Sequence, residues 1–225
     1  MTPSDRRPIP EELLLLCADP VDGRLRVPAA TYHRVLAGGV VVELLLDGAI
    51  TVEERRITGY RPLGGQDEVA AGVLARLEDA GKRRNGFSLD RAIRQVPRRP
   101  GSAPFLARLA ADGFVTVEQR RFLGLPYRRH VATRPGIGQE IAARVAATLA
   151  REAGGAGAPA DGRSAADERD RQLAGLIGAG RLDRRVYPGP AGAATRRAVR
   201  LLVRELPVAR AVRRAVDADS SATAG

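Results

Sequence analysis

The stretch Leu44–Arg56, LLLDGAITVEERR, decides the fold, because the chain nearly repeats it at Leu109–Arg121, LAADGFVTVEQRR. Eight of the thirteen positions are identical. In both copies an apolar segment ends at Asp-Gly and an alternating run, ITVE or FVTVE, follows. A glycine after an apolar helix is typical of a C-terminal cap with positive φ, and alternation is typical of a half-buried strand. We therefore predict two copies of one unit, a helix that ends at a glycine and leads directly into a β-hairpin.

The rest of the chain is dominated by helical periodicity, which predicts a mainly α fold with one or two β-hairpins. The predicted helices lie at about 10–18, 29–47, 67–79, 88–96, 104–111, 137–150, 165–177, 191–206 and 208–218. In the second hairpin, residues 114–118 pair either with about 122–125 or with 127–132. We expect a flexible N-terminus at 1–9, a flexible Gly/Ala-rich linker at about 154–164, and a disordered tail at 219–225.

The pair Gly38-Gly39 falls inside a predicted helix, where each glycine costs roughly 1 kcal/mol relative to alanine. Either the helix packs closely against another helix there, or a site lies beside the bare backbone. The sequence leaves both explanations open.

Composition limits the compartment and the class of protein. Hydrophobic residues make up 44% of the chain, but tryptophan is absent, so the core must be largely aliphatic. The lone Cys17 lies in an apolar run, which favours a buried, inert thiol and a reducing compartment. The most apolar run, Val40–Leu46, has seven residues, against roughly 20 for a membrane span. We expect a cytoplasmic or peripheral protein without a signal peptide.

The positive charge is concentrated in the middle of the chain. The net charge is +11, and residues 82–134 alone hold 13 basic and 3 acidic side chains. A localised positive field indicates a polyanionic partner, either nucleic acid or an acidic membrane face.

No catalytic motif accompanies that charge. We find no P-loop, no GxGxxG after a strand, no Cys/His metal spacing and no GxSxG elbow. His33 and His130 are the only histidines, and a lone histidine is more often structural than catalytic. We predict that the protein is not an enzyme and that it needs neither a cofactor nor a metal.

Three stretches resemble the Golgi phosphoprotein 3 family, and in particular its bacterial members. They are Glu11–Glu54, which contains the Gly-Gly-x-x-x-Glu-Leu segment, Phe105–Pro135, which contains the second hairpin, and Leu173–Pro188. The resemblance covers about 10–218 in unbroken order. It implies a single, mostly helical domain, in which amphipathic helices ring a central bundle and a β-hairpin projects from one face.

The resemblance also implies a function. In the eukaryotic members, the hairpin face binds phosphatidylinositol 4-phosphate, and the hairpin dips apolar side chains into the bilayer and supports self-association. Those proteins help to retain glycosyltransferases by holding their cytoplasmic tails. By resemblance we expect a peripheral membrane protein at the inner face of the membrane. Its expected partners are anionic phospholipid headgroups, protein cargo tails and a second copy of itself.

About one of the four residues of the family's headgroup pocket is kept in place in this chain. The arginine before the Gly-Gly pair corresponds to Ala37, the tryptophan nine residues earlier falls near Pro28, and the two later arginines fall by spacing at Arg99 and Ser102. Arg guanidinium groups match phosphate oxygens bidentately. We predict that the headgroup ligands here are Arg34, Arg94, Arg98 and Arg99.

The second hairpin supplies a candidate membrane contact, in which apolar residues stand beside arginines. The predicted contact residues are Arg120, Arg121, Phe122, Leu123 and Leu125. Each basic residue near an anionic surface contributes about 1 kcal/mol. The alternatives are a solvated face for the arginines and an ordinary hairpin core for Phe122 and Leu125.

A helix followed by a basic hairpin also fits a winged-helix DNA-binding protein. Residues 104–111 or 88–96 would then enter the groove, and the second hairpin would be the wing. The run PRRPGSAP interrupts the helical segment before that wing. We therefore favour the membrane over nucleic acid as the partner.

Overall fold

The protein is mainly α-helical, as predicted. The computed structural model describes residues 7–27, 32–53, 55–63, 67–82, 87–96, 101–122, 125–154 and 164–224. In chain order its elements are α1 (Ile9–Leu15), α2 (Tyr32–Leu46), β1 (Ile50–Glu53), β2 (Arg56–Tyr60), α3 (Glu68–Lys82), β3 (Phe87–Ser88), α4 (Leu89–Gln95), α5 (Ala103–Ala111), β4 (Val115–Phe122), β5 (Leu125–Ala132), α6 (Ile137–Gly154), α7 (Ala165–Ala179), α8 (Asp183–Val186), α9 (Ala193–Glu205) and α10 (Pro207–Ala224). In the described ranges no helix is both long and apolar enough to cross a membrane.

The duplicated unit is confirmed with the same spacing in both copies. Helices α2 and α5 are each followed, two residues after their last residue, by a glycine in the left-handed region: Gly48 has φ 68° and Gly113 has φ 75°. The next strand begins two residues later in each case. A side chain is strained at such φ values, which is why glycine occupies both positions.

The strands form two antiparallel sheets. In the second hairpin, β4 pairs with β5 from Val115↔Ala132 to Phe122↔Leu125. This confirms the later of the two predicted pairings, with 127–132. The first hairpin gains a strand that the sequence did not indicate, because β3 pairs with β2 at Ile57↔Phe87.

Helix α2 runs through the core, in contact with α1, α3, α4, α7 and α10. Its glycines are explained by this packing. A Cβ added at Gly38 would lie 2.4 Å from Val212 Cγ2 and 2.8 Å from Leu176 Cδ2. The close-packing explanation of the Gly-Gly pair therefore holds for Gly38.

Cys17 is 1% exposed, and its Sγ lies 3.1 Å from the hydroxyl oxygen of Tyr32. Burial raises the pKa of the Cys17 thiol. The thiol is therefore buried and poorly ionised, as the sequence predicts.

Helical structure reaches into both segments that we expect to be loose. Helix α1 begins at Ile9, which is 0% exposed. The Arg7 guanidinium lies 3.8 Å from the centre of the Phe114 ring. At the other end, α10 continues to Ala224, and Asp219 within it forms an ion pair with Arg34, 185 positions apart in the chain. The flexibility of both ends stays a prediction. Residues 1–6, most of the predicted linker (155–163) and residue 225 lie outside the described residues.

Candidate functional site

Among the residues that the structure describes, those of the β4–β5 hairpin are buried only at its base. Val115 and Ala132 at the base are 2% and 3% exposed. The loop after α1 also anchors the base, because the Ala132 N–H donates to the Gly23 carbonyl at 2.8 Å and the Leu25 N–H donates to the His130 carbonyl at 3.0 Å. Each strand has eight residues, which corresponds to a length of roughly 25 Å.

The hairpin tip, residues 120–128, carries exposed apolar side chains. Leu125 is 73% exposed and Tyr127 is 47% exposed. For Leu125 the alternative of an ordinary hairpin core is therefore wrong. Leu123 and the side chain of Phe122 lie outside the described residues.

Arginines flank these apolar residues on both faces of the hairpin tip. The register places Arg120 beside Tyr127 on one face, while Arg121 and Arg128 share the other face. All three arginines are exposed. Arg120 contacts Glu118 Oε2 at 3.0 Å, and its side chain still remains 56% exposed. The tip thus presents exposed apolar side chains next to three exposed arginines, which is the composition of an interfacial anchor.

Two residues of this tip, Tyr127 and Arg128, were missed as site residues. Both lie in a predicted strand. Strand alternation indicates which residues share a face, but it does not show that both faces of the outer hairpin are exposed.

Arg34, predicted as a headgroup ligand, is an internal residue. It is 6% exposed, and its Nε and Nη2 lie 2.8 and 3.1 Å from the two carboxylate oxygens of Asp219. Its Nη1 donates to the carbonyls of Ile93 and Arg94, each at 3.2 Å. The guanidinium group therefore joins α2, the end of α4 and α10, and this geometry argues against Arg34 as a headgroup ligand.

Arg94 is the other predicted ligand that the structure describes. It is exposed at the end of α4, and its backbone carbonyl accepts the hydrogen bond from Arg34. Arg98 and Arg99 fall in 97–100, outside the described residues.

A cavity of about 230 Å³ lies between α2, α3 and the start of α5. Its wall is mostly apolar and includes Ala37, and its charged side chains are Glu68 and Arg76. Val96 and Gly101, which border 97–100 in the chain, also line it. Of the positions that the family resemblance assigns to the headgroup pocket, Ala37 lines this cavity, with alanine where the pocket has an arginine.

His130 lies in β5, near the base of the hairpin. Burial, and to a smaller extent the nearby Arg128, lowers the pKa of His130, so this histidine is neutral at neutral pH. Among the residues that the structure describes, no group of three or more His, Cys, Asp or Glu side chains could hold a metal ion.

The fold and this surface define a mainly α-helical protein that carries a projecting β-hairpin with an arginine-flanked apolar tip. The family model described as Golgi phosphoprotein 3 (GPP34) matches residues 9–218, which is most of the chain. The chain belongs to the Golgi phosphoprotein 3 family. No curated protein matches it at a significant level.

Proposed function

We propose that the protein is a peripheral membrane protein that binds anionic phospholipids through the hairpin tip. The observation that carries the proposal is Leu125, 73% exposed at the far end of a hairpin that is buried only at its base. At an anionic membrane interface the leucine side chain leaves water, and the arginines beside it approach the lipid phosphates. Both changes favour binding.

The expected binding is weak and reversible. Full burial of a leucine is worth about 1.5–3 kcal/mol, and each arginine near an anionic surface adds about 1 kcal/mol. Because Leu125 is 73% exposed in the free protein, about 1–2 kcal/mol of this remains to be gained. Together with the three arginines of the tip, the leucine then supplies roughly 4–5 kcal/mol, which corresponds to a dissociation constant near the millimolar range. Salt should weaken this binding further, because exposed charges are screened.

Self-association, which we propose from the family resemblance, would overcome this weakness. Two linked copies convert the second binding event into an intramolecular one and raise the overall affinity without a new contact.

We further propose that headgroup recognition depends on Arg94, Arg98 and Arg99 rather than on the cavity wall. Support comes from the family resemblance, from the exposed position of Arg94, and from Val96 and Gly101 at the cavity. In eukaryotic members the headgroup is phosphatidylinositol 4-phosphate. The same resemblance supports a place at the inner face of the membrane and recruitment of partner-protein tails. Neither the family match nor any feature of the described residues favours the DNA-binding alternative.

A flotation experiment tests the proposed function. The purified protein is mixed at low ionic strength with phosphatidylglycerol vesicles or with phosphatidylcholine vesicles, and a parallel gel shift uses random duplex DNA. We expect flotation with the anionic vesicles only. Protein that stays with the soluble fraction but shifts the duplex at physiological salt would overturn the proposal.

A further inference from the structure

A second basic surface runs along α9 and into its turn with α10, on elements other than the hairpin; α9 alone lines its smaller hollow. Two adjoining hollows there have volumes of about 490 Å³ and 330 Å³ and share Arg200 and Arg204. We call this surface the arginine groove. Its arginines are Arg196, Arg197, Arg200 and Arg204 on α9, and Arg210, Arg213 and Arg214 on α10.

The turn between the two helices brings these side chains together. Arg196, Arg200 and Arg204 are spaced four residues apart, so they lie along one face of α9. The chain leaves the helical conformation at Leu206, which has φ −81° and ψ 120°, and α10 begins at the next residue. The arginines of α10 therefore face the end of the α9 row, and Val203 is the one other residue that lines the larger hollow.

The carboxylates around the arginine groove are held mainly by arginines outside it. Glu205 lies 2.6 Å from Arg171, and Asp217 lies 2.8 Å from Arg181. Asp90 is shared between Arg55 at 2.8 Å and Arg214 at 3.2 Å, so it neutralises one member of the groove only in part.

Little negative charge therefore remains for the groove itself. Asp183 contacts Arg200 at 3.4 Å. No carboxylate of the described residues lies within 4 Å of Arg204, Arg210 or Arg213. Like charges one helical turn apart destabilise a helix. An anion bound between these arginines would reduce their mutual repulsion.

We propose that the arginine groove binds a compact anion with several phosphate groups. Guanidinium forks bind phosphate oxygens bidentately, and the concave shape suits a small anion better than a flat surface would. The lining contains no aromatic side chain among the described residues, so it lacks the stacking platform of single-stranded nucleic acid sites. The phosphates could belong to a soluble polyphosphate or to a multiply phosphorylated lipid headgroup. The inference goes beyond the proposed membrane binding, because it requires no contact with a bilayer.

Calorimetric titration with inorganic tripolyphosphate tests the arginine groove. The variant is the double substitution Arg204→Gln/Arg210→Gln, at two exposed positions. The matched control is Arg134→Gln/Arg151→Gln, which removes the same charge from positions 61% and 62% exposed. Because each lost contact is charge-assisted, we expect the groove variant to bind at least about tenfold more weakly. The affinity of the control variant should stay within about twofold of that of the wild type, because the control loses only long-range attraction from two distant charges.

Equal weakening in both variants, or no binding by the wild type, would overturn the inference. A short DNA duplex that binds through the same two arginines and more tightly than tripolyphosphate would also overturn it, in favour of a nucleic-acid site.

A flotation arm separates the two sources of phosphate. Vesicles that contain a multiply phosphorylated inositol lipid are tested with the groove variant and with Leu125→Ser. Loss of flotation in the groove variant supports a lipid headgroup, whereas unchanged flotation with lost tripolyphosphate binding supports a soluble anion. Because Leu125→Ser leaves the groove intact, its tripolyphosphate binding should equal that of the wild type even if the proposed membrane function fails.

Discussion

The substitution Leu125→Ser isolates the apolar contribution of the hairpin tip. A fully buried leucine gains about 1.5–3 kcal/mol over an exposed one. In the free protein Leu125 is 73% exposed, so about 1–2 kcal/mol remains to be gained at a membrane. The variant should therefore bind anionic vesicles about 5- to 27-fold more weakly, at 1.4 kcal/mol per tenfold change. Because the side chain packs little in the free protein, the free energy of unfolding should change by less than about 0.5 kcal/mol.

Sedimentation of phosphatidylglycerol vesicles over a range of lipid concentrations measures the partition coefficient directly. The control is Val21→Ser, at a residue that is 86% exposed in the loop that pairs with the hairpin base. It removes an exposed apolar side chain far from the tip, so its binding should match the wild type. If Leu125→Ser binds within twofold of the wild type, or if both variants weaken equally, the tip does not enter the bilayer and the reasoning fails.

Three further predictions concern stability. Arg34→Ala should lower the free energy of unfolding in urea by about 3 kcal/mol, because Asp219 and two helix carbonyls lose a buried partner. A change below 1 kcal/mol would contradict the role of Arg34 in joining α2, α4 and α10. Gly38→Ala should lower the free energy of unfolding by about 1–3 kcal/mol, because the added Cβ overpacks the core. Gly72→Ala has nothing within 4 Å of the added Cβ and should stabilise α3 by roughly 0.5–1 kcal/mol. If thermal unfolding ranks the two variants in the opposite order, the packing argument is refuted. The pKa of His130 is lowered in the folded protein, so acidification protonates the unfolded chain first, and stability should begin to fall as the pH drops through the ordinary histidine pKa of about 6.5. His130→Asn should remove that part of the pH dependence in urea melts.

Local chemistry explains what the sequence reveals about the fold. The two helix–glycine–hairpin units depend on nearby residues, because Gly48 and Gly113 supply the positive φ and each strand after them pairs with the next strand in the chain. The exposed tip was predicted in part for the same reason, since its arginines and its apolar residues are adjacent in the chain. Local signals do not show that the outer hairpin lacks a cover.

Long-range contacts explain what the sequence misses. Arg34 looks like a surface cation, but its partner Asp219 stands 185 positions away, in a segment whose composition suggests a loose tail. The strand β3 forms only because Phe87 meets Ile57. The arginines of α9 and α10 are visible in the sequence, yet their convergence depends on the turn at Leu206.

The most direct test of membrane binding places a probe at the hairpin tip. A Leu125→Cys variant can be labelled with an environment-sensitive, thiol-reactive fluorophore, because Cys17 is 1% exposed and burial raises its pKa. With phosphatidylglycerol vesicles, we expect the emission to shift to the blue and lipid-borne quenchers to reduce it, while a label at Val21→Cys stays unchanged. Emission from position 125 that remains that of a water-exposed probe at saturating anionic lipid would contradict the proposal that the hairpin tip enters the membrane.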